Sequence, residues 1–197
     1  MIDSAELRVA LGQISPSLYP ERNVYRCVEL AALIGDGSTP IQPLYDLGPR
    51  KSGQRYTPIG GARALYVSEH FATSYVESTG MFTSHAAVSY QHAPAEVTLQ
   101  FRIRLESVLD LTLPDNQKLL HTHDIELKKS WEWPMAMGLP VPTQILGQLA
   151  FDCGIFQAIR FPSSRISDAI NLVIFTERMV GPSFVECGDP MFPQRIP

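Results

Sequence analysis

Residues Ala95–Thr112 read AEVTLQFRIRLESVLDLT, and this stretch decides the fold class. Val97, Leu99, Phe101, Ile103 and Leu105 alternate with Thr98, Gln100, Arg102 and Arg104. Successive side chains of a strand point to opposite faces, so the alternation gives one buried face and one wet face. That pattern belongs to an antiparallel sheet rather than to a parallel one buried on both sides. Shorter strands are expected at Val24–Val28, Ala64–Ser68, Gln157–Pro162 and Asn171–Thr176. Ser4–Leu18 is expected to hold a short helix that ends before the Pro16/Pro20 region, because proline lacks the N–H a helix interior needs. Glu69–Thr79 reads as a helix capped by Ser68 and closed by Gly80; Thr143–Phe156 reads as another, capped by Thr143 and ended near Gly154. Gly35–Tyr56 reads as a long loop and Met135–Pro142 as an irregular apolar stretch. The proline-rich tail after Gly181 is expected to wrap the surface or fray. Strands and helices mix without regular βαβ alternation. The expected class is therefore α+β, with a mixed, largely antiparallel sheet core and flanking helices.

Working outward, 197 residues suit a single domain, 1–197, large enough to bury a core without disulfide or metal support. A hydrophobic fraction of 45% against 18% charged residues excludes a disordered chain. A formal net charge of −4 argues against a general nucleic-acid binder. Cys27, Cys153 and Cys187 form no CxxC pair, which favours neither a zinc site nor a disulfide framework. The N-terminal stretch lacks a basic start followed by an apolar run, and no run of about 20 apolar residues occurs anywhere. The expectation is a cytoplasmic protein that does not engage a membrane.

Familiar nucleotide and hydrolase motifs are missing: no G-x-G-x-x-G, no P-loop, no G-x-S-x-G and no H-E-x-x-H. His121 and His123 would share a side if the segment were a strand. They could then hold a metal, but no further ligands lie nearby, and a solvated loop is the simpler expectation. No metal is expected. What remains is a dispersed set. Arg55 and Tyr56 sit in a glycine-rich loop, Tyr66 follows eleven residues after Arg55, and Glu77 eleven after Tyr66. Far downstream, Arg160–Arg165 (RFPSSR) joins a strand to a loop, and NLVIF follows at Asn171–Phe175.

Taken together these pieces resemble the RES-domain family, named for its arginine, glutamate and serine. The resemblance spans about residues 24–176. Val24-Tyr25-Arg26 looks like the family's opening strand. Gly53-Gln54-Arg55-Tyr56, Pro58 and Gly60-Gly61 look like its GRW-x-P-x-G loop, with Gln54 interposed and Tyr56 in place of the usual tryptophan. Ala64–Glu69 (ALYVSE), the helix carrying Glu77, Leu109-Asp110-Leu111, Ala158–Arg165 (AIRFPSSR) and Asn171–Phe175 follow in family order. The Ser130–Pro142 stretch and the tail bearing Glu186 and Asp189 have no aligned counterpart.

The resemblance implies an ADP-ribosyltransferase-like fold and NAD+ as substrate, with no metal. Family activities are NAD+ hydrolysis, phosphorolysis and ADP-ribosylation of a protein, each breaking the nicotinamide–ribose bond. It implies a toxin that depletes NAD+, restrained by a cognate Xre-type antitoxin. A homodimer is compatible with it. A mono-ADP-ribosyltransferase acting on a protein and a non-catalytic nucleotide-binding module are the alternatives. By the same resemblance the catalytic candidates are Arg55, Tyr66, Glu77 and Ser163, with Ser164 as the alternative to Ser163. Arg26, Tyr25, Tyr56, Arg55 and Tyr66 are the substrate-binding candidates. The arginines suit pyrophosphate oxygens, Tyr66 would wall the nicotinamide and hold the substrate through its hydroxyl, and Ser163 would hydrogen-bond the ribose or the amide. Glu77 would stabilise the positive charge growing on the ribose.

Overall fold

The computed structural model describes residues 3–34, 42–83, 95–188 and 193–197. In chain order the elements are α1 (Ser4–Gln13), β1 (Ser17–Glu29), α2 (Leu30–Ile34), α3 (Gly48–Ser52), β2 (Ala64–Ser68) and α4 (Phe71–Thr83). Next come β3 (Glu96–Asp110), α5 (Pro114–Leu119), α6 (Asp124–Leu127), α7 (Glu132–Ala136) and α8 (Pro142–Asp152). The C-terminal part holds β4 (Ala158–Pro162), β5 (Ile170–Phe175), β6 (Phe184–Cys187) and β7 (Arg195–Ile196). The architecture is α+β, a mixed and largely antiparallel sheet flanked by helices.

The strand order is β1-β2-β5-β4-β3-β6-β7, and β1 also pairs with β3. These pairings return the path β1-β2-β5-β4-β3 to its start, with β6 and β7 added beside β3. Among the described strand pairs, only β3 and β4 run parallel. The closure rests on one pair between β1 and β2, Tyr25 with Ser68. That pair places the middle of β1 next to the end of β2.

The alternation read in β3 is observed: Leu99, Phe101, Ile103 and Leu105 are buried, while Gln100 and Arg102 are exposed. The short strands β2, β4 and β5 are mostly buried on both faces, which is why they read as largely apolar runs, with Arg160 and Asn171 as the polar exceptions in β4 and β5. Their alternate residues feed separate clusters. Leu65, Val67, Leu172 and Ile174 pack with the buried face of β3. Ala64, Val173, Phe175, Ile159 and Phe161 pack with Leu7 and Leu11 of α1 and with Leu146 and Ala150 of α8.

Several boundaries differ from the expectation. β1 begins at Ser17 rather than Val24 and runs through Pro20. Register shifts between Ser17/Tyr19 and Tyr19/Arg22 accommodate the proline, since a bulge relieves the ladder of the missing N–H. Ser68 is the last residue of β2 and does not cap α4; its hydroxyl donates to Asn171 instead. Gly80 lies within α4, which continues to Thr83. α8 starts at Pro142 with no side-chain cap, so Thr143 is not its cap. Proline suits that first position because its missing N–H has no helical partner to lose. α7 occupies part of the stretch read as irregular, and α3 part of the long loop. Residues 35–41 of that loop lie outside the described residues. The tail forms β6 and β7, where β6 pairs with β3 and so is tied into the sheet.

One close approach fixes the glycine loop against the helices. A Cβ on Gly147 of α8 would lie 1.9 Å from the carbonyl oxygen of Tyr56. Only glycine, which lacks that Cβ, lets the helix backbone come so close to the Tyr56 turn.

Candidate active site

A cavity of about 300 Å³ opens where β1, β2, β5 and α4 meet. Tyr25, Arg26, Arg55, Tyr66 and Glu77, chosen from distant parts of the sequence, all line it. Of the two candidate serines, Ser164 lines the cavity and Ser163 stands behind Glu77.

Glu77 is the best-defined group. Its Oε1 accepts from Ser163 Oγ at 2.6 Å and from Asn171 Nδ2 at 2.8 Å. No donor among the described residues reaches Oε2. One oxygen is therefore anchored and the other is left for a ligand. Ser163 is buried, and its oxygen also accepts the backbone N–H groups of Arg165 and Ile166. These fill its acceptor positions and direct its single proton to Glu77. The structure thus moves Ser163 from the substrate side, where it was expected, to the support of the carboxylate.

Arg55 is committed in a similar way. Its Nη1 donates to the carbonyls of Leu127 and Lys129 at 2.8 and 2.7 Å, and its Nη2 donates to Ser164 Oγ at 2.9 Å. It pins the segment after α6, which carries Trp131 and Glu132 to the cavity wall. Only the Nε side of the guanidinium keeps donors for a ligand. Arg26 donates to the Tyr45 carbonyl at 2.9 Å, and burial lowers its pKa to about 10, with Asp46 acting in the opposite direction. It stays cationic at neutral pH.

Tyr66 offers its ring to the cavity, but its hydroxyl is occupied. The oxygen accepts from the Tyr56 N–H at 2.9 Å and shares a hydrogen bond with Thr57 Oγ1 at 3.1 Å. Burial raises its pKa, so the phenol stays protonated. The expected hydroxyl contact with substrate is replaced by a tie to the glycine loop. Tyr56 does not reach the cavity at all. It is fully buried, its ring centroid lies 4.5 Å from that of Phe161, and its hydroxyl has no partner among the described residues. The chain turns it inward beneath the loop that Gly147 supports.

Sequence reading missed Asn171, Ser68, Trp131, Glu132 and Arg165, all of which line the cavity. Asn171 was visible as the single polar residue at the head of an otherwise apolar strand. Burial alone would raise the Glu132 carboxyl, but hydrogen bonds from its own backbone and from Ser130, with Arg55 nearby, outweigh it and hold it below the usual range. Arg165 is exposed, and its guanidinium has no partner among the described residues. His123 accepts the Glu126 N–H through Nδ1 at 3.3 Å and so caps α6. No group of three or more metal-ligating side chains occurs among the described residues. Among the same residues, no helix is long and apolar enough to cross a membrane.

No curated protein matches the chain in sequence. A solved chain from the M. tuberculosis MbcT–MbcA toxin–antitoxin complex shares the fold, with a TM-score of 0.71 at 16% identity, over 97% of this chain and 91% of that one. The family model of the RES domain matches residues 24–189, which takes in every element that builds the cavity, and the chain belongs to the RES domain family.

Proposed function

We propose that this protein cleaves NAD+ at the bond between nicotinamide and ribose. The observation that carries the reading is the anchored Glu77 carboxylate, held at one oxygen by Ser163 and Asn171 and presenting the other to an aromatic-walled cavity. The nicotinamide of NAD+ leaves as a neutral base from a cationic ring, so its departure needs no proton donor. It needs a fixed negative group beside the ribose carbon as positive charge grows there. One carboxylate therefore suffices, where a glycosidase with a poorer leaving group uses two. The rings of Tyr25, Tyr66 and Trp131 offer walls for nicotinamide, and Arg165 with the Nε side of Arg55 offers donors for the pyrophosphate. A volume of about 300 Å³ is at the small end for a ligand pocket. It suits the nicotinamide riboside half, with the adenosine at the mouth.

Attack by water on the ribose carbon gives ADP-ribose, nicotinamide and a proton. Attack by phosphate gives ADP-ribose 1″-phosphate. The biological role that fits the family and the shared fold is a toxin that depletes NAD+ under the control of an antitoxin partner. The experiment is incubation of purified protein with NAD+, with and without phosphate, resolved by mass spectrometry beside Glu77→Ala. Nicotinamide release that vanishes in the variant supports the reading, and the second product names the acceptor. Absence of release in both overturns hydrolysis and phosphorolysis. Label transferred from NAD+ to a protein would then identify a transferase.

A further inference from the structure

We propose that Ser68 and Asn171 form a positioning relay that sets the orientation of Glu77. The idea rests on the reading of Glu77 as the charge-stabilising group, and adds residues of the cavity wall that hold it in place. Ser68 and Asn171 are partners in the β2–β5 register. Both side chains are buried, at 4% and 6% exposure, so neither is hydrated as a surface residue would be. Ser68 Oγ donates to Asn171 Oδ1 at 2.6 Å, and Asn171 Nδ2 donates to Glu77 Oε1 at 2.8 Å.

Each proton in this chain has one place to go. Ser68 has a single hydroxyl proton, and it points at the amide oxygen. That fixes the amide with its NH2 toward Glu77, the choice an isolated asparagine leaves open. Together with Ser163, the NH2 holds Oε1 and so directs Oε2 toward the cavity. The sheet register supplies the rigidity. A slip of one residue between β2 and β5 would turn Asn171 to the opposite face and break the relay. Glu77 itself sits on α4, outside the sheet, and without this bridge only Ser163 would hold it.

The relay is tested by kinetics and by an observable that needs no turnover. Asn171→Ala is expected to lower kcat for NAD+ roughly 10–100-fold, with KM within about twofold. Ser68→Ala is expected to lower it about 3–10-fold, and Ser68→Thr to restore it. In the Asn171→Ala background, Ser68→Ala costs nothing further. Asn171→Asp keeps the volume but sets an acceptor against a carboxylate, and is expected to cost more than Asn171→Ala. A residue that merely fills space would show the reverse order. Independently, the Asn171 side-chain amide protons, followed by NMR, exchange slowly with solvent in the wild type and quickly in Ser68→Ala and Glu77→Ala. Unchanged exchange in both variants, additive kcat losses, or an Asp variant better tolerated than Ala overturns the relay. A wild-type protein that leaves NAD+ intact overturns the proposed reaction instead, and the exchange measurement then decides the relay alone.

Discussion

Ser163 Oγ lies 2.6 Å from Glu77 Oε1, although 86 residues separate them in the chain. The same oxygen accepts the N–H groups of Arg165 and Ile166 at 3.0 and 3.1 Å. A hydroxyl with its lone pairs filled and its proton given to a carboxylate is a support and not a nucleophile. Ser163→Ala removes one of the two donors on Oε1 and strips backbone N–H groups of their acceptor. The expected result is a loss of about 10–100-fold in kcat and a Tm lowered by about 2–10 °C. Steady-state kinetics and a thermal melt check both, and a kcat within twofold of wild type would refute the assignment.

Arg55 holds the wall of the cavity as well as facing it. Lysine cannot reproduce contacts to two carbonyls and a hydroxyl from one planar head. Arg55→Lys is expected to lower stability by about 1–3 kcal/mol and to open the 127–132 segment to protease. Urea denaturation and limited proteolysis read these effects. An unchanged melt with lost activity would assign Arg55 to substrate alone.

Arg165 is expected to behave differently, because its guanidinium has no partner among the described residues. Arg165→Ala should raise KM for NAD+ about tenfold and leave Tm within about 2 °C. The same variant should lose little toward nicotinamide riboside, which lacks the pyrophosphate. Equal losses toward both substrates would remove Arg165 from phosphate binding.

The Tyr56 hydroxyl is buried without a partner among the described residues. A buried hydroxyl that makes no hydrogen bond costs about 1–3 kcal/mol against its apolar isostere. Tyr56→Phe is therefore expected to be neutral or stabilising by about 1 kcal/mol, with NAD+ turnover unchanged. Chemical denaturation measures the first and nicotinamide release the second. A clear loss of stability would show that the hydroxyl does have a partner.

Glu132 gives the cavity wall an acid limit. Its carboxyl is held below the ordinary 4.5 in the folded protein. A depressed carboxylate contributes stability that is complete above the unfolded value and is lost as pH falls through the folded one. Glu132→Gln is expected to flatten the acid limb of the stability curve below about pH 4.5 and to lower stability at pH 7. Melts between pH 3 and pH 7 test this; parallel curves for both proteins would discard it.

Much of this was legible in the chain. The alternation at Val97–Leu105 predicted β3, and the apolar runs at Ala64–Ser68 and Asn171–Thr176 predicted β2 and, within a residue at each end, β5. Those patterns are local, because a strand's period records which faces are buried. The candidates Tyr25, Arg26, Arg55, Tyr66 and Glu77 were reached by family order and spacing, and the fold brings them to one cavity. Tyr56 misled because the resemblance sets it in the loop beside the candidate arginine, and position in a loop does not say which way a ring turns. Only the approach of Gly147 shows that the loop turns it under α8. Pro20 misled because the register shifts that absorb it belong to the pairing of β1 with β3, about 80 residues away along the chain.

The sequence by itself determined the fold class, the family and the chemical identity of the groups in the cavity. The fold class follows from periodicity, the family from the resemblance of motifs in their order, and the groups from residue type, all of which are written along the chain. Tertiary structure alone decided what each group is free to do. Whether a serine hydroxyl faces substrate or Glu77, and whether an arginine's donors meet a phosphate or the carbonyls of Leu127 and Lys129, depends on hydrogen-bond partners far off in sequence. A donor can be given only once, and the closed path of β1, β2, β5, β4 and β3 settles which neighbour receives it.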